Sequence, residues 1–218
     1  MTDLPLPFEI DGPTLLIVRH GQTEHNASGI YQGHTNTELS ERGLRQAEVA
    51  AGKLALRRPT RIVSSDLFRA LSTADALRVK TGVDVEIEPG LREIDVGTWA
   101  GLKHAEVEKR YPVESGAIRA GRDARRGEHG ETLAEVGART ALVFHRVAAT
   151  LAPHECAVLV SHGMAARLMT AAVVGWSVSD AAERLPVLDN CHWAEVTWRR
   201  DGWAVVGWNL GDAVTETL

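Results

Sequence analysis

The stretch Thr14-Leu15-Leu16-Ile17-Val18-Arg19-His20-Gly21 decides the fold, because an apolar run is followed at once by two polar side chains and a glycine. A short continuous apolar run is typical of a strand that is buried on both faces of a parallel sheet. Arginine binds phosphate through a planar fork of donors that stays charged, and histidine can act as a nucleophile near neutral pH. The stretch indicates phosphoryl transfer, although an ordinary strand end with two polar residues would read the same.

Helices are predicted by the spacing of apolar residues and by signals at helix ends. Ser40 offers an N-cap, and the buried face of the helix after it is expected to be Leu44, Ala47, Ala51 and Leu54. A second helix is expected over about residues 66–80, ending at Gly82. A third starts with a capping box of Thr132 and Glu135, and its apolar face runs through Val136, Val143, Phe144, Val147 and Leu151. A helix rich in small residues is expected after Gly163.

Strand patterns alternate with these helices. Apolar strands are expected over residues 14–19, 61–64 and 157–160, and a half-buried strand through Val83, Val85 and Ile87. Residues 193–198 and 203–209 alternate around Asp201-Gly202, as in a hairpin. This order predicts an α/β fold, a three-layer sandwich with a largely parallel central sheet, helices on both faces and an antiparallel edge.

Three of the predicted strand ends carry the same kind of chemistry. They are Arg19-His20-Gly21, then Ser64-Ser65 with Arg69 in the next helix, and Ser161-His162-Gly163. Ligands of open α/β sheets bind beyond the carboxyl ends of the strands, where helix N-termini also present free N–H groups. We therefore expect two imidazoles and two guanidiniums to assemble into one anion site.

The composition is that of an ordinary globular domain, with 218 residues, 44% hydrophobic and 24% charged. A net charge of -5 gives no support to nucleic-acid binding, and no apolar stretch approaches the ~20 residues of a membrane span. Residues 1–12 contain acidic side chains but no Lys or Arg, so we expect an N-terminal extension rather than an export signal. Residues 13–218 are expected to form a single domain.

Cysteine and histidine usage argues against a metal or redox site. Cys156 and Cys191 are the only cysteines, they form no CxxC pair, and we expect both to be reduced, with the cytoplasm as the default location. The other histidines follow no metal-ligand spacing. They are His25, His34, His104, His129, His145, His154 and His192. No GxGxxG or Walker motif occurs, so we expect no cofactor and no metal, and an activity that EDTA leaves unchanged.

Six motifs occur in a fixed order over most of the chain. They are residues 16–26 (LIVRHGQTEHN), 39–43 (LSERG), 64–67 (SSDL), 91–93 (LRE), 130–132 (GET) and 160–163 (VSHG). Together they resemble the histidine phosphatase superfamily in its phosphoglycerate mutase-like branch. The resemblance runs from about residue 14 to residue 175, and so many ordered motifs are very specific.

The resemblance implies a role for each matching residue. His20 would be the nucleophile that becomes a phosphohistidine, and Glu93 would be the proton donor. Arg19, Arg69 and His162 would form the phosphate pocket, with Asn26 as a further phosphate donor. Contacts from Gln22, Thr23 and Gly163 would complete the site. Glu131 either orients the pocket or simply begins the long helix.

The resemblance leaves the reaction open between a phosphatase and a phosphoglycerate mutase-type phosphotransferase. Mutases carry a longer insertion after the Glu motif, which favours a phosphatase that hydrolyses a small phosphomonoester. An inactive phosphate-binding regulatory module is the third alternative, but every expected position is filled. Residues 103–130 are expected to form a lid over the site. The basic run in the lid is either a solvated face or a recognition surface for an anionic substrate, and consists of Arg119, Arg122, Arg125 and Arg126.

Within the family, Asn190, Trp193 and the pair Trp208-Asn209 are similar to glucosyl-3-phosphoglycerate phosphatases, which act on a phosphorylated sugar acid. The segment from residue 114 to residue 127 departs from them, because a tryptophan is expected there. The Trp-rich hairpin is expected to serve packing or, alternatively, a homodimer interface.

Overall fold

The computed structural model describes residues 12–200 and 202–212, and its strands form one six-stranded sheet. The strands are β1 Thr14–Arg19, β2 Arg61–Ser64, β3 Val85–Ile87, β4 Cys156–Ser161, β5 Trp193–Arg199 and β6 Gly202–Leu210. Their order is β3-β2-β4-β1-β5-β6, with β1 to β4 parallel and the β5–β6 hairpin antiparallel. The largely parallel sheet with an antiparallel edge is confirmed. Of the expected extension over residues 1–12, all but Gly12 lies outside the described residues.

The helices among these residues cover both faces of the sheet. They are α1 Glu24–Ser28, α2 Glu41–Ala55, α3 Phe68–Thr81, α4 His104–Arg110, α5 Pro112–Arg119, α6 Leu133–Ala148, α7 Gly163–Val173 and α8 Val178–Arg184. The predicted caps are present, since Ser40 accepts from the third residue of α2 and Thr132 and Glu135 form a capping box on α6. The expected residues 66–80 correspond to α3.

Alternation along β1 explains the three layers. Leu15 and Ile17 belong to a cluster with residues of α6 and α7, whereas Leu16 and Val18 belong to a cluster with residues of α2 and α3. Successive side chains of a strand point to opposite faces, so a strand that is apolar at every position must be covered on both. The fold class is therefore the predicted three-layer α/β sandwich.

The predicted buried face of α2 is wrong at one position. Leu44 is 52% exposed, while Gly43 is buried beside Ala47 and Ala51. A Cβ on Gly43 would lie 2.0 Å from the Gln22 carbonyl oxygen, so the helix rests on the loop after β1 through a glycine. Because of this close approach, the buried face of α2 begins with Gly43 instead of Leu44.

The antiparallel edge is a hairpin in which tryptophans serve mainly packing. The Trp203 ring stacks edge-on against Phe144 of α6 with centroids 4.8 Å apart, and against Trp198 with centroids 5.4 Å apart. This arrangement fits the packing alternative for the Trp-rich hairpin. The carboxyl ends of β1, β4 and β2 lie side by side in the middle of the sheet, because β4 pairs with both neighbours.

Candidate active site

His20 lies directly beyond the end of β1, where it lines a cavity of about 450 Å³. Its main-chain N–H donates to the Ser161 carbonyl over 3.0 Å, which extends the pairing of β1 with β4 by one residue. Its Nδ1 lies 2.6 Å from the Gly21 carbonyl, and because a carbonyl only accepts, Nδ1 carries the proton. Nε2 therefore keeps the lone pair that a nucleophile needs.

The surroundings of His20 favour its neutral form. Burial lowers the pKa of His20 well below its ordinary value, and the positive charges of Arg69 and Arg19 lower it further. The hydrogen bond to Gly21 has the opposite but smaller effect. His20 is thus an uncharged imidazole at neutral pH, the form that can attack phosphorus.

His162 follows β4 as the N-cap residue of α7 and is fully buried, without being part of the cavity lining. Its ring stands edge-on to that of His20, with centroids 5.1 Å apart. Its Nε2 lies 2.9 Å from the Ser65 hydroxyl, and its buried Nδ1 has no hydrogen-bond partner among the described residues. Burial, Arg69 and His20 lower the pKa of His162 well below its ordinary value.

Two arginines line the same cavity, Arg69 buried and Arg19 half-buried. Arg69 donates from its terminal nitrogens to the carbonyls of Gly33 and Thr35, each over 2.8 Å, and Arg19 donates to the Leu188 carbonyl over 2.5 Å. The Nε of both arginines is buried and unpaired within the described part of the chain. Burial lowers the pKa of Arg19, and it lowers the pKa of Arg69 to about 10, so the Arg69 guanidinium remains charged at neutral pH. Unpaired buried donors on two cations are suited to an oxyanion.

Glu93 faces these cations from the loop after β3. Its Oε1 accepts from the main-chain N–H groups of Ile94 (2.9 Å) and Ala165 (3.0 Å), and its Oε2 accepts from that of Met164 (3.1 Å). The carboxyl group is therefore held against the first turn of α7. Burial lowers the pKa values of Arg19 and Arg69, and the nearby Glu93 carboxylate opposes that shift at both residues.

The remaining predicted contact residues divide into lining and supporting positions. Asn26, Gln22 and Gly163 line the cavity, and a Cβ on Gly163 would lie 2.8 Å from the Val187 Cγ1, so the glycine allows the Val187 side chain to approach closely. Thr23 is fully buried and does not line the cavity. Its main-chain N–H and hydroxyl donate to the Asn26 Oδ1 over 3.1 Å, so Thr23 orients Asn26.

The basic run after α5 contributes one arginine to the cavity. Arg119 and Arg125 form exposed ion pairs with acidic residues of α4 and α6. Arg126 is buried, lines the cavity and pairs with Asp123 over 3.0 Å. The same end of the cavity carries aromatic and apolar side chains, namely Tyr31, Trp99, His104, Ile118 and Met164.

Two residues that hold the site from a distance were given no site role from the sequence: Asn190 was named only for its similarity to glucosyl-3-phosphoglycerate phosphatases, and Gln32 was not singled out. Asn190 lines the cavity and donates through Nδ2 to the His20 carbonyl over 3.0 Å, although 170 residues separate them. Gln32 accepts from Thr23 over 3.1 Å and also lines the cavity. Neither lies in a motif that carries chemistry by itself, so no local signal could have predicted these contacts.

The described ranges, 12–200 and 202–212, contain both cysteines and all nine histidines. Cys156 and Cys191 are free and buried, and burial raises their pKa values to about 11 and about 12. No group of three or more His, Cys, Asp or Glu side chains in these ranges is arranged to hold a metal ion. Within the same ranges, no helix is both long and apolar enough to span a bilayer.

Known proteins match the chain over most of its length. The family model for the histidine phosphatase superfamily (branch 1) matches residues 15–211. The glucosyl-3-phosphoglycerate phosphatase of Mycolicibacterium vanbaalenii is 38% identical over 87% of this chain and 93% of that protein. The probable phosphoglycerate mutase GpmB of Proteus mirabilis is 31% identical over 90% of each chain.

Solved structures agree with the sequence relatives. A mycobacterial glucosyl-3-phosphoglycerate phosphatase in complex with VO3 superposes with a TM-score of 0.82 at 35% identity, covering 90% of this chain and 98% of that one. These likenesses indicate a phosphoric monoester hydrolase. With its family model matched from β1 to the end of β6, the chain belongs to the histidine phosphatase superfamily.

Proposed function

We propose that the protein hydrolyses a small phosphomonoester through a phosphohistidine on His20. The observation that carries this proposal is the neutral His20 imidazole beside the Arg19 and Arg69 guanidiniums in a single cavity. A nucleophile without charge, placed against fixed positive charge, suits attack on a phosphate dianion.

In the first step, the His20 Nε2 forms a bond to phosphorus while the bond from phosphorus to the ester oxygen breaks. Arg19, Arg69 and the His162 Nδ1–H stabilise the negative charge on the equatorial oxygens. The His162 Nδ1 carries the ring proton because its Nε2 accepts from the Ser65 hydroxyl. That hydroxyl in turn accepts from the Leu67 N–H over 3.4 Å. The Asn26 amide supplies a further donor.

Glu93 supplies the proton that the leaving alkoxide needs. Its Oε1 already accepts two N–H groups, whereas Oε2 accepts one and keeps a lone pair for the proton. In the second step water gives a proton to the same carboxylate and attacks phosphorus, and the bond from phosphorus to His20 breaks. Inorganic phosphate leaves and both residues return to their first state.

The proposed substrate is a phosphorylated sugar acid such as glucosyl-3-phosphoglycerate. The sequence relative at 38% identity carries that name, and the cavity extends from the cationic end towards Tyr31, Trp99 and the buried Arg126. Residues 103–130 would act as a lid whose Arg126 meets a second anionic group of the substrate. We further propose that the protein is cytoplasmic, in line with its free thiols. We also propose that it forms a homodimer.

Comparing the parent with His20→Ala on p-nitrophenyl phosphate tests the proposed nucleophile. We expect the variant to lose about 10⁴-fold or more in kcat/KM, since the imidazole that attacks phosphorus is gone. Equal rates would dismiss the nucleophile.

A panel of phosphorylated sugar acids and of sugar phosphates without a carboxyl group tests the substrate class. If kcat/KM is no higher for the acids than for the other sugar phosphates, the proposed substrate class is contradicted.

A further inference from the structure

We propose that Arg139 and Glu131 form a positioning pair that holds the main chain of the Glu93 loop and so places the proton donor. The inference rests on the proposed function, because it concerns the group that protonates the leaving oxygen. Neither residue lines the cavity, so neither contacts the substrate. They act through the loop.

All five N–H donors of Arg139 are used. Its Nη1 donates to the carbonyls of Gly90 (2.9 Å) and Arg92 (2.8 Å), and its Nη2 donates to the carbonyl of Glu93 (2.9 Å). The other two donors, Nε and Nη2, form a bidentate pair with Glu131 over 2.7 and 2.8 Å. A single side chain on α6 thus binds three carbonyls of the loop that carries the proton donor.

Glu131 binds the same loop at a position that follows Glu93 in the chain. Its Oε2 accepts from the main-chain N–H of Asp95 over 2.9 Å, two residues after Glu93. Burial opposes the charged form of Glu131, but the hydrogen bonds from Arg139 and Asp95 outweigh it and lower its pKa. The pair is therefore charged on both sides and clamps the loop before and after the proton donor.

The loop needs this clamp because it lies outside the sheet. Between β3 and α4 the chain forms only two single-turn 3₁₀ helices, Pro89–Leu91 and Gly97–Trp99. The Glu93 carboxyl group is fixed on one side by α7, and its main chain is fixed on the other by Arg139 and by the His34 Nε2 over 2.8 Å. A displacement of about 1 Å at such a group is enough to cost about 10²-fold in rate.

The positioning role predicts a dependence on the leaving group. An alkyl phosphomonoester must be protonated as it leaves, whereas p-nitrophenolate leaves without a proton. In Arg139→Gln we expect kcat/KM to fall about 10²-fold on an alkyl phosphomonoester and less than about 5-fold on p-nitrophenyl phosphate. Glu131→Gln, which leaves the guanidinium in place, should change the ratio of the two rates in the same direction.

Arg146→Gln is the matched control on the same helix. Arg146 forms an exposed ion pair with Glu88 at the start of the same loop, but it bonds none of the carbonyls of residues 90–93. We expect kcat/KM on both substrates to stay within about 2-fold of the parent. Equal losses on both substrates in Arg139→Gln and Glu131→Gln would mean a general structural role and would overturn the proposal.

A double-mutant cycle separates this inference from the proposed function. In a Glu93→Gln background, Arg139→Gln should cost nothing further on the alkyl substrate, since the group it positions is already gone. Additive losses would overturn the positioning role. If Glu93→Gln itself shows no dependence on the leaving group, the proton-donor assignment fails instead, whatever Arg139 does.

Discussion

At the scale of single residues, the site consists of two arginines and two histidines, and burial lowers the pKa of each. Arg69 is 1% exposed, its guanidinium donates to two carbonyls of the loop before α2, and its Nε is unpaired within the described residues. The same side chain therefore holds that loop and offers a donor to an oxyanion. The role in holding the loop should be visible in the stability of the protein, and the role as a donor should be visible in the reaction rate.

Replacing Arg69 by alanine should abolish most turnover while the protein still folds. We expect kcat/KM on p-nitrophenyl phosphate to fall by about 10²–10³-fold, and the free energy of unfolding to fall by no more than about 3 kcal/mol, because loss of a buried charge offsets two lost hydrogen bonds. Arg78→Ala, at an exposed ion pair of the same helix, is the control. Near-normal kinetics in Arg69→Ala would count against the phosphate pocket.

The two buried histidines predict a pH dependence of stability. Their pKa values are lowered in the folded state, so the unfolded chain binds more protons once the pH falls below about 6.5. Their contribution to stability is complete above that pH and is lost as the pH falls, by up to about 1.4 kcal/mol per pH unit for each histidine. Urea unfolding between pH 7.5 and pH 5 measures it. His162→Gln should reduce the slope by about half, and an unchanged slope would refute this account.

The residue types and their order predicted part of the cavity lining, but His162 and Thr23 do not belong to it, and the contacts of each side chain were not predictable. The placement of Arg19, His20 and Arg69 at one cavity follows from motifs at strand ends, whereas Glu93 was expected there only from the resemblance to the family. Thr23 differs, because its buried hydroxyl orients a neighbour instead of facing the cavity. Hydrogen bonds between distant residues, such as that from Asn190 to the His20 carbonyl, have no local signature.

At the scale of elements, α2 shows how one glycine fixes the distance between a helix and the active-site loop. A Cβ on Gly43 would meet the Gln22 carbonyl oxygen at 2.0 Å, whereas a Cβ on Gly52 of the same helix meets nothing within 4 Å. Gln22 lines the cavity, so a displaced α2 would also displace the site. The apolar spacing predicted the helix, but not which residue it rests on.

Alanine at these two glycines should therefore have opposite effects. Gly43→Ala is expected to lower the free energy of unfolding by about 1–3 kcal/mol and to reduce kcat/KM, because the backbone must move apart. Gly52→Ala is expected to raise the free energy of unfolding by about 0.5–1 kcal/mol with unchanged kinetics, because alanine is the better helix former. Chemical denaturation of both variants measures this, and equal effects would contradict the close approach.

The segment between the 3₁₀ turn at Gly97–Trp99 and α6 was the least predictable part of the described fold. Its helices α4 and α5 are short, and exposed ion pairs hold Arg119 and Arg125 away from the cavity. A run of four arginines therefore supplies one cavity residue, Arg126. Charge counting cannot tell a solvated arginine from a buried one, since the difference lies in tertiary contacts.

At the scale of the whole molecule, the fold was predictable because its signals are local. The central strands β1 and β4 are short apolar runs and the long helices α2 and α6 begin at side-chain caps, so the alternation of strands and helices defines a parallel sheet with covered faces. The sheet then brings the ends of β1, β2 and β4 together without further information. Family membership, predicted from the ordered motifs, is confirmed by the match over residues 15–211.

The choice between phosphatase and mutase also belongs to the scale of the whole molecule, because it depends on whether the cavity lets water or another hydroxyl accept the phosphoryl group. Relatives of both names match most of the chain. We expect release of inorganic phosphate from glucosyl-3-phosphoglycerate to exceed interconversion of 3-phosphoglycerate by at least about 10²-fold in kcat/KM. Faster interconversion than phosphate release, measured by coupled assay and phosphate detection on one preparation, would reverse the assignment.

Trapping the covalent intermediate tests the central claim most directly. The protein is mixed with a phosphomonoester, quenched within milliseconds at alkaline pH, where phosphohistidine is stable, and digested for mass spectrometry. We predict one phosphoryl group on the nitrogen of His20, with none on the matching peptide of His20→Gln. Turnover with no phosphorylated histidine, or with the phosphoryl group on another side chain, would contradict the account.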